Sequence, residues 1–133
     1  TGTITVGDSS NNLNSSAGIY YDNGIVGIIN SNNITAGNKS VGIYNAGSAV
    51  NQNGLLKIGD QAIGVYLDGG TAIFSAGSQL KMGDDSVGVY GISNGTINVN
   101  SNNDILMGTN SFGFVLTDGG TFSNTSTTGK VIM

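Results

Sequence analysis

The chain has 133 residues, 38% of them hydrophobic and only 9% charged, with a formal net charge of −4. A single domain, 1–133, accommodates that length. The acidic balance excludes a nucleic-acid binder, which needs a basic stripe to track phosphates, and the absence of cysteine excludes a disulfide framework.

Pro, His, Trp, Arg and Glu are also missing, while glycine supplies 23 residues and Asn, Ser and Thr most of the polar remainder. The charged fraction is far below the roughly 25% of an ordinary domain, but the apolar residues fall in regular clusters, which argues for a packed core rather than disorder. The chain opens on Thr1 and ends on the apolar run Val131-Ile132-Met133. Both ends read as cuts through something longer, with no signal-peptide pattern at the start. The longest apolar stretch, Gly24 to Ile29, is far too short to cross a bilayer, so no membrane insertion is expected of this segment.

The first predicted strand is Ile4-Thr5-Val6, closed by Gly7. A polar run follows, Asp8 to Ser15, containing Asn11, Asn12 and Asn14; it is surplus to the repeat described below and predicts a protruding loop. Next come the pentad Ser16-Ala17-Gly18-Ile19-Tyr20, a second element Gly24-Ile25-Val26, a polar bulge from Asn30 to Asn33, and a third element Ile34-Thr35-Ala36-Gly37. The same order then returns three times. The pentads are Ser40–Tyr44, Ala62–Tyr66 and Ser86–Tyr90; the second elements are Gly47–Val50, Gly70–Phe74 and Gly95–Val99; the third elements are Leu56–Gly59, Leu80–Gly83 and, after a bulge from Asn100 to Asp104, Ile105–Gly108. Ser111–Val115, Gly120–Phe122 and Val131–Met133 make the last round.

Successive pentad glycines (Gly18, Gly42, Gly64, Gly88, Gly113) lie 24, 22, 24 and 25 residues apart. Each repeat holds three segments of strand length separated by Gly, Asn, Asp and Ser turns. Many alternate with period 2, as in Leu80-Lys81-Met82. One repeat per turn gives an all-β fold: a right-handed single-stranded parallel β-helix (a β-solenoid) of about five coils of 22–25 residues, three short strands per coil. Varying turn lengths and the usual hand of parallel crossovers favour the right-handed form. Residues flanking each pentad glycine are expected to point inward, namely Val41 with Ile43, Ile63 with Val65, Val87 with Val89 and Phe112 with Phe114. The glycine itself would point out or let backbone approach closely. Tyr20, Tyr44, Tyr66 and Tyr90 fall one position later and are expected to stack outward as a ladder, broken by Val115.

The pattern Gly83-Asp84-Asp85-Ser86-Val87-Gly88-Val89-Tyr90 resembles passenger repeats of large type V autotransporter adhesins, in particular those of fusobacteria and related anaerobes. The likeness spans Ile4 to Met133. It implies an extracellular, cell-surface passenger held by a C-terminal outer-membrane barrel, with adhesion to host cells or other bacteria, in some members through galactose-type sugars. The partners it implies are neighbouring coils of the full passenger and a glycan or protein on a host or bacterial surface.

Catalysis on a parallel β-helix needs clustered carboxylates with Arg, Lys or His; without Arg, His or Glu the chain reads as a non-enzyme. Asp60, Asp84 and Asp85 near one corner read first as turn residues. A calcium site there is the weaker alternative, so no metal and no cofactor are expected. Asp68-Gly69-Gly70-Thr71 and Asp118-Gly119-Gly120-Thr121 read as tight turns, with no helix following to cradle a phosphate. The candidate ligand surface is the ladder Tyr20, Tyr44, Tyr66 and Tyr90 together with the loop residues Asp8, Asn11, Asn12 and Asn14. Its alternative is purely structural stacking. Open strand edges at the two ends predict end-to-end self-association.

Overall fold

Each repeat buries one face of three short strands, and it can do so only against the repeats above and below it. The computed structural model describes residues 2–10, 16–23, 28–30 and 33–133, the middle stretch 28–30 by its backbone alone. Among these residues there are strands and turns and no helix. The third elements form a six-stranded sheet of β1 (Thr3–Val6), β4 (Asn33–Ala36), β7 (Leu55–Ile58), β10 (Gln79–Met82), β13 (Ile105–Leu106) and β16 (Val131–Ile132). The pentads form a five-stranded sheet of β2 (Ala17–Tyr21), β5 (Val41–Asn45), β8 (Ile63–Asp68), β11 (Val87–Ile92) and β14 (Phe112–Leu116). The second elements form another, of β3 (Ile28–Asn30), β6 (Ala49–Gln52), β9 (Thr71–Phe74), β12 (Thr96–Val99) and β15 (Thr121–Asn124). Every pairing is parallel and joins like elements of successive coils, so the fold is a β-solenoid with three strands per coil. The chain makes four turns from the first to the last strand of each five-stranded sheet.

Period-2 alternation sorts the side chains. In β7, Leu56 and Ile58 are buried while Lys57 is exposed. The interior is built of rungs. Ile34, Leu56 and Leu80 stack in register, as do Ala36, Ile58 and Met82; Val50, Ala72 and Ile97 do the same on the second-element sheet. Each Val, Leu, Ile or Met of these rungs contributes about 1.5–3 kcal/mol by leaving water, and the alanines less. Size is traded between coils. Phe74 packs edge-on to Phe114 at 6.4 Å between ring centroids, and Phe114 lies 5.1 Å from Phe122.

The pentads depart from strict alternation. Ile43, Val65 and Val89 belong to the core as expected, with Phe114 packed against it. Val41 and Ile63 are buried too and Val87 is half-buried, but all three stand outside the contiguous core cluster. Ile63 and Val87 instead border a depression on the outer face, beside Tyr66 and Tyr90. Phe112, the matching residue of the last coil, is exposed. The cause is the glycine. The paired register runs Val41↔Ile63 and then Ile43↔Val65, passing over the glycines, and a Cβ on Gly42 would lie 2.6 Å from the Gly64 carbonyl oxygen and 2.9 Å from Leu56 Cδ1. The glycine and the residue after it therefore both face the core cluster, and the residue before it packs outside that cluster while staying buried at Val41 and Ile63. Of the two roles read from the sequence for this glycine, close backbone approach is the one observed.

Two sequence boundaries also shift. Residues 24–27 lie outside the described residues, and the second-element strand of that coil occupies Ile28–Asn30, with Ile28 paired to Val50. Asn30 and Asn33, expected in a polar bulge, are strand residues. The Asn100 to Asp104 segment does run outside the strands. At the corner after β5, Asn45 takes the inward position that Leu67 holds one coil on. It is fully buried, donates through Nδ2 to the Ser48 carbonyl at 2.8 Å and accepts from Ser48 N at 2.9 Å, which closes the short Gly47 turn.

Adding a methyl group separates these roles. A Cβ on Gly64 would stand 2.4 Å from the Gly88 carbonyl oxygen, whereas one on Gly113 would meet only Met107 Sδ at 3.7 Å. Gly64→Ala is expected to lower unfolding free energy by about 1–3 kcal/mol, and Gly113→Ala by no more than about 0.5 kcal/mol, as read by urea denaturation.

Candidate functional site

The chain enters each pentad strand through a corner of one design: Gly37-Asn38-Lys39-Ser40, Gly59-Asp60-Gln61-Ala62, Gly83-Asp84-Asp85-Ser86 and Gly108-Thr109-Asn110-Ser111. The second residue reaches along the column. Oδ1 of Asp8 accepts from Asn38 N at 2.7 Å, Asn38 Oδ1 from Asp60 N at 2.8 Å, Asp60 Oδ1 from Asp84 N at 2.9 Å and Asp84 Oδ1 from Thr109 N at 2.7 Å. To do so it crosses the glycine of the next coil. A Cβ on Gly59 would be 2.4 Å from Asn38 Oδ1, and one on Gly83 2.5 Å from Asp60 Oδ1. Gly7, which no earlier coil crosses, has nothing within 4 Å of an added Cβ. The glycine-aspartate pairs of the sequence are thus two halves of one device.

The third residue of the corner adopts a left-handed conformation: Lys39 at φ 56°, Gln61 at 54°, Asp85 at 53° and Asn110 at 55°. In that conformation its own N–H reaches the next coil, as Lys39 N to the Asp60 carbonyl at 2.9 Å and Gln61 N to the Asp84 carbonyl at 2.8 Å. The serine that follows bonds a glycine carbonyl. Ser40 does so within its own turn, its Oγ donating to the Gly37 carbonyl at 2.7 Å. Ser86 and Ser111 do so across to the preceding coil, their Oγ atoms donating to the Gly59 and Gly83 carbonyls at 2.7 and 2.8 Å. Asp60 and Asp84 therefore act as acceptors for main-chain donors, which is the turn role. Among the described residues no group of three or more His, Cys, Asp or Glu is gathered to hold a metal ion. The Asp-Gly-Gly corners are turns too, with Gly69 and Gly70 at φ 73° and 70°, and the Asp68 carboxylate accepts from Ser93 Oγ at 2.9 Å.

The tyrosine ladder stands on the outer face of the pentad sheet. Ring centroids are 5.2 Å apart for Tyr20–Tyr44, 5.0 Å for Tyr44–Tyr66 and 5.7 Å for Tyr66–Tyr90, with interplanar angles of 21°, 12° and 35°. Val115 ends it, paired to Tyr90 in the register. Burial, Asp68 and the neighbouring Tyr20 raise the Tyr44 phenol above its ordinary 10.0; burial, Tyr44, Asp68 and Tyr90 raise Tyr66. Stacking also settles what the ladder offers. Both faces of Tyr44 and Tyr66 are covered by other rings, so these residues present edges rather than a flat aromatic platform.

Between the ladder and the corners lies an open groove of about 350 Å³, lined by Gln61, Ala62, Ile63, Tyr66, Asp85, Val87 and Tyr90. Its flanks follow from the corner design, since the left-handed residues Gln61 and Asp85 form one bank and the tyrosines the other. Sequence reasoning missed this groove because it turned Ile63 and Val87 inward and had no signal for the left-handed residue. Of the expected ligand surface, the four tyrosines come together in one row. Asp8 belongs to the corner ladder rather than to a free loop, and Asn11, Asn12 and Asn14 lie outside the described residues.

Comparison with protein-family models, with curated proteins and with solved structures finds no match to this chain.

Asp60→Asn keeps the acceptor, as Asn38 demonstrates one coil earlier, and is expected to leave stability nearly unchanged. Asp60→Ala leaves the exposed Asp84 amide to water and is expected to cost about 0.5–1.5 kcal/mol in the same denaturation experiment. The tyrosines give an alkaline signature. Because their folded-state values are raised, the ladder's contribution is whole below the ordinary phenol value and is lost as pH rises through the higher folded values. Thermal stability should therefore hold up to about pH 9 and fall above pH 10, less steeply in Tyr44→Phe/Tyr66→Phe.

Proposed function

We propose that this chain is a structural and adhesive segment of a bacterial cell-surface autotransporter passenger, a rigid column that presents a binding region to host cells or other bacteria. The observation that carries the reading is the continuity of the cross-coil ladders. Three parallel sheets run from coil to coil, the corner carboxamides and carboxylates link Asp8 to Thr109, and the tyrosine stack runs in register from Tyr20 to Tyr90. Such a column adds one coil at a time through local contacts, which suits a chain that folds as it emerges from a secretion pore. The repeat style of Gly83 to Tyr90 supports the same placement at the outer membrane. The segment is read as non-catalytic, since Asp60 and Asp84 are engaged by main-chain amides of the next coil and Asp85 stands without a second carboxylate or a basic group in its groove.

The reading predicts that antibody raised against the chain labels intact source cells, and that external protease removes the label. Labelling that requires permeabilised cells would overturn it. The isolated chain should also associate end to end, because Phe122, Val131 and Ile132 are exposed on its last coil and the outermost strands offer unpaired edges. Sedimentation velocity would register this as a rise in mean mass with concentration, and a strictly monomeric profile would contradict it.

A second reading, direct binding of a glycan or receptor protein by the chain itself, through the Asp8 to Ser15 loop or the tyrosine ladder, is favoured by the groove beside that ladder. Selective binding of the purified chain to a glycan array or to epithelial cells would support it, and its absence from a folded, β-rich sample would leave the column role alone.

A further inference from the structure

The groove has a chemistry narrow enough to name its occupant. Its volume of about 350 Å³ lies at the small end of ligand pockets, enough for one side chain and part of a second. Its floor is apolar, with Ile63 and Val87 in register on adjacent strands. On one flank, Tyr66 is covered on both faces by Tyr44 and Tyr90 and turns only its ring edge to the groove. Aromatic edges carry partial positive charge and faces partial negative charge, so an edge favours the face of another aromatic ring in a T-shaped contact. The C–H bonds of a sugar, also positive at hydrogen, are better served by ring faces, which Tyr66 does not offer.

On the opposite flank Asp85 is exposed and is the one charged residue of the lining. Asp68 stands close enough to raise both Tyr44 and Tyr66, which adds negative potential on the ladder side. Lys57 and Lys81 belong to the strands of the adjoining sheet, and Lys39, at the equivalent corner place two coils before Asp85, is not part of the lining. An apolar floor, a ring edge and an acidic bank together complement an aromatic group with a cation beside it.

We infer that the groove floored by Ile63 and Val87 receives an aromatic side chain of a partner polypeptide, with a neighbouring lysine or arginine of that partner on Asp85. This deepens the direct-binding reading and rests on it. The column role is tested separately by surface labelling, so either can fail without the other.

The test uses the whole chain with labelled Ile and Val methyl groups, titrated with the blocked dipeptide acetyl-Phe-Lys-amide. Controls are acetyl-Phe-Gln-amide, acetyl-Ala-Lys-amide and methyl β-galactoside. The Phe-Lys probe is expected to shift the Ile63 and Val87 methyl resonances. Replacing its lysine by glutamine, adding salt, or introducing Asp85→Asn should each weaken binding by roughly two- to five-fold, the range of an exposed ion pair. Asn tolerates the left-handed backbone at that position, and the salt titration of the unaltered chain stands even if the variant misfolds. Replacing phenylalanine by alanine should abolish the shifts. The inference is overturned if the Phe-Lys probe leaves Ile63 and Val87 unmoved, if its affinity ignores salt and Asp85→Asn, or if the galactoside shifts these methyl groups while the peptides do not.

Discussion

Everything in this molecule depends on how closely one coil can lie on the next. Parallel strands pair at about 4.8 Å, and at that spacing each main-chain N–H and C=O must find its partner on the neighbouring coil, including at the corners where the strands stop. The strands solve this by ordinary pairing. The corners solve it by placing an Asp or Asn whose side chain bonds the next coil's amide, with a left-handed residue after it whose own amide reaches the same coil. Both devices need room, and glycine provides it. A side chain on Gly59 or Gly83 would collide with the Asx group of the coil before, and one on Gly42, Gly64 or Gly88 with the backbone of the coil after.

That constraint explains how much of the structure is legible in the sequence. The repeat, the three strands per coil, their parallel pairing and the tyrosine row all follow from residues recurring at fixed spacing, because in a stacked column equal sequence positions become spatial neighbours. Where reading fails, the cause is local. Val41, Ile63 and Val87 look inward by simple alternation, yet the glycine after each breaks the alternation and sets them outside the contiguous core cluster, with Val41 and Ile63 still buried. Gln61 carries no mark of a left-handed backbone, and the tolerance of Asp85 and Asn110 for it becomes legible only once the corners are aligned. Asn45 looks like a turn residue and is one, but it does the work from inside the column.

The surface chemistry is a by-product of the same stacking. Rings one coil apart lie stacked or tilted on each other, so the inner tyrosines, Tyr44 and Tyr66, are stabilised through their faces and recognisable by their edges. The corner aspartates divide by position. The second residue of each corner is spent on main-chain amides, while the third has its side chain left over, and Asp85 is where that spare group is a carboxylate. A binding surface can therefore change along the column by altering the third residue alone, with the scaffold intact: Lys39, Gln61, Asp85 and Asn110 occupy equivalent places with four different chemistries.

The central claim is the like-on-like parallel stacking of coils, and methyl–methyl nuclear Overhauser contacts test it most directly. The account predicts contacts between Ile34 and Leu56, between Leu56 and Leu80, and between Ile43, Val65 and Val89, all pairs separated by 22 to 24 residues in sequence. Contacts confined to sequence neighbours, or arranged in the antiparallel order of hairpins, would contradict it.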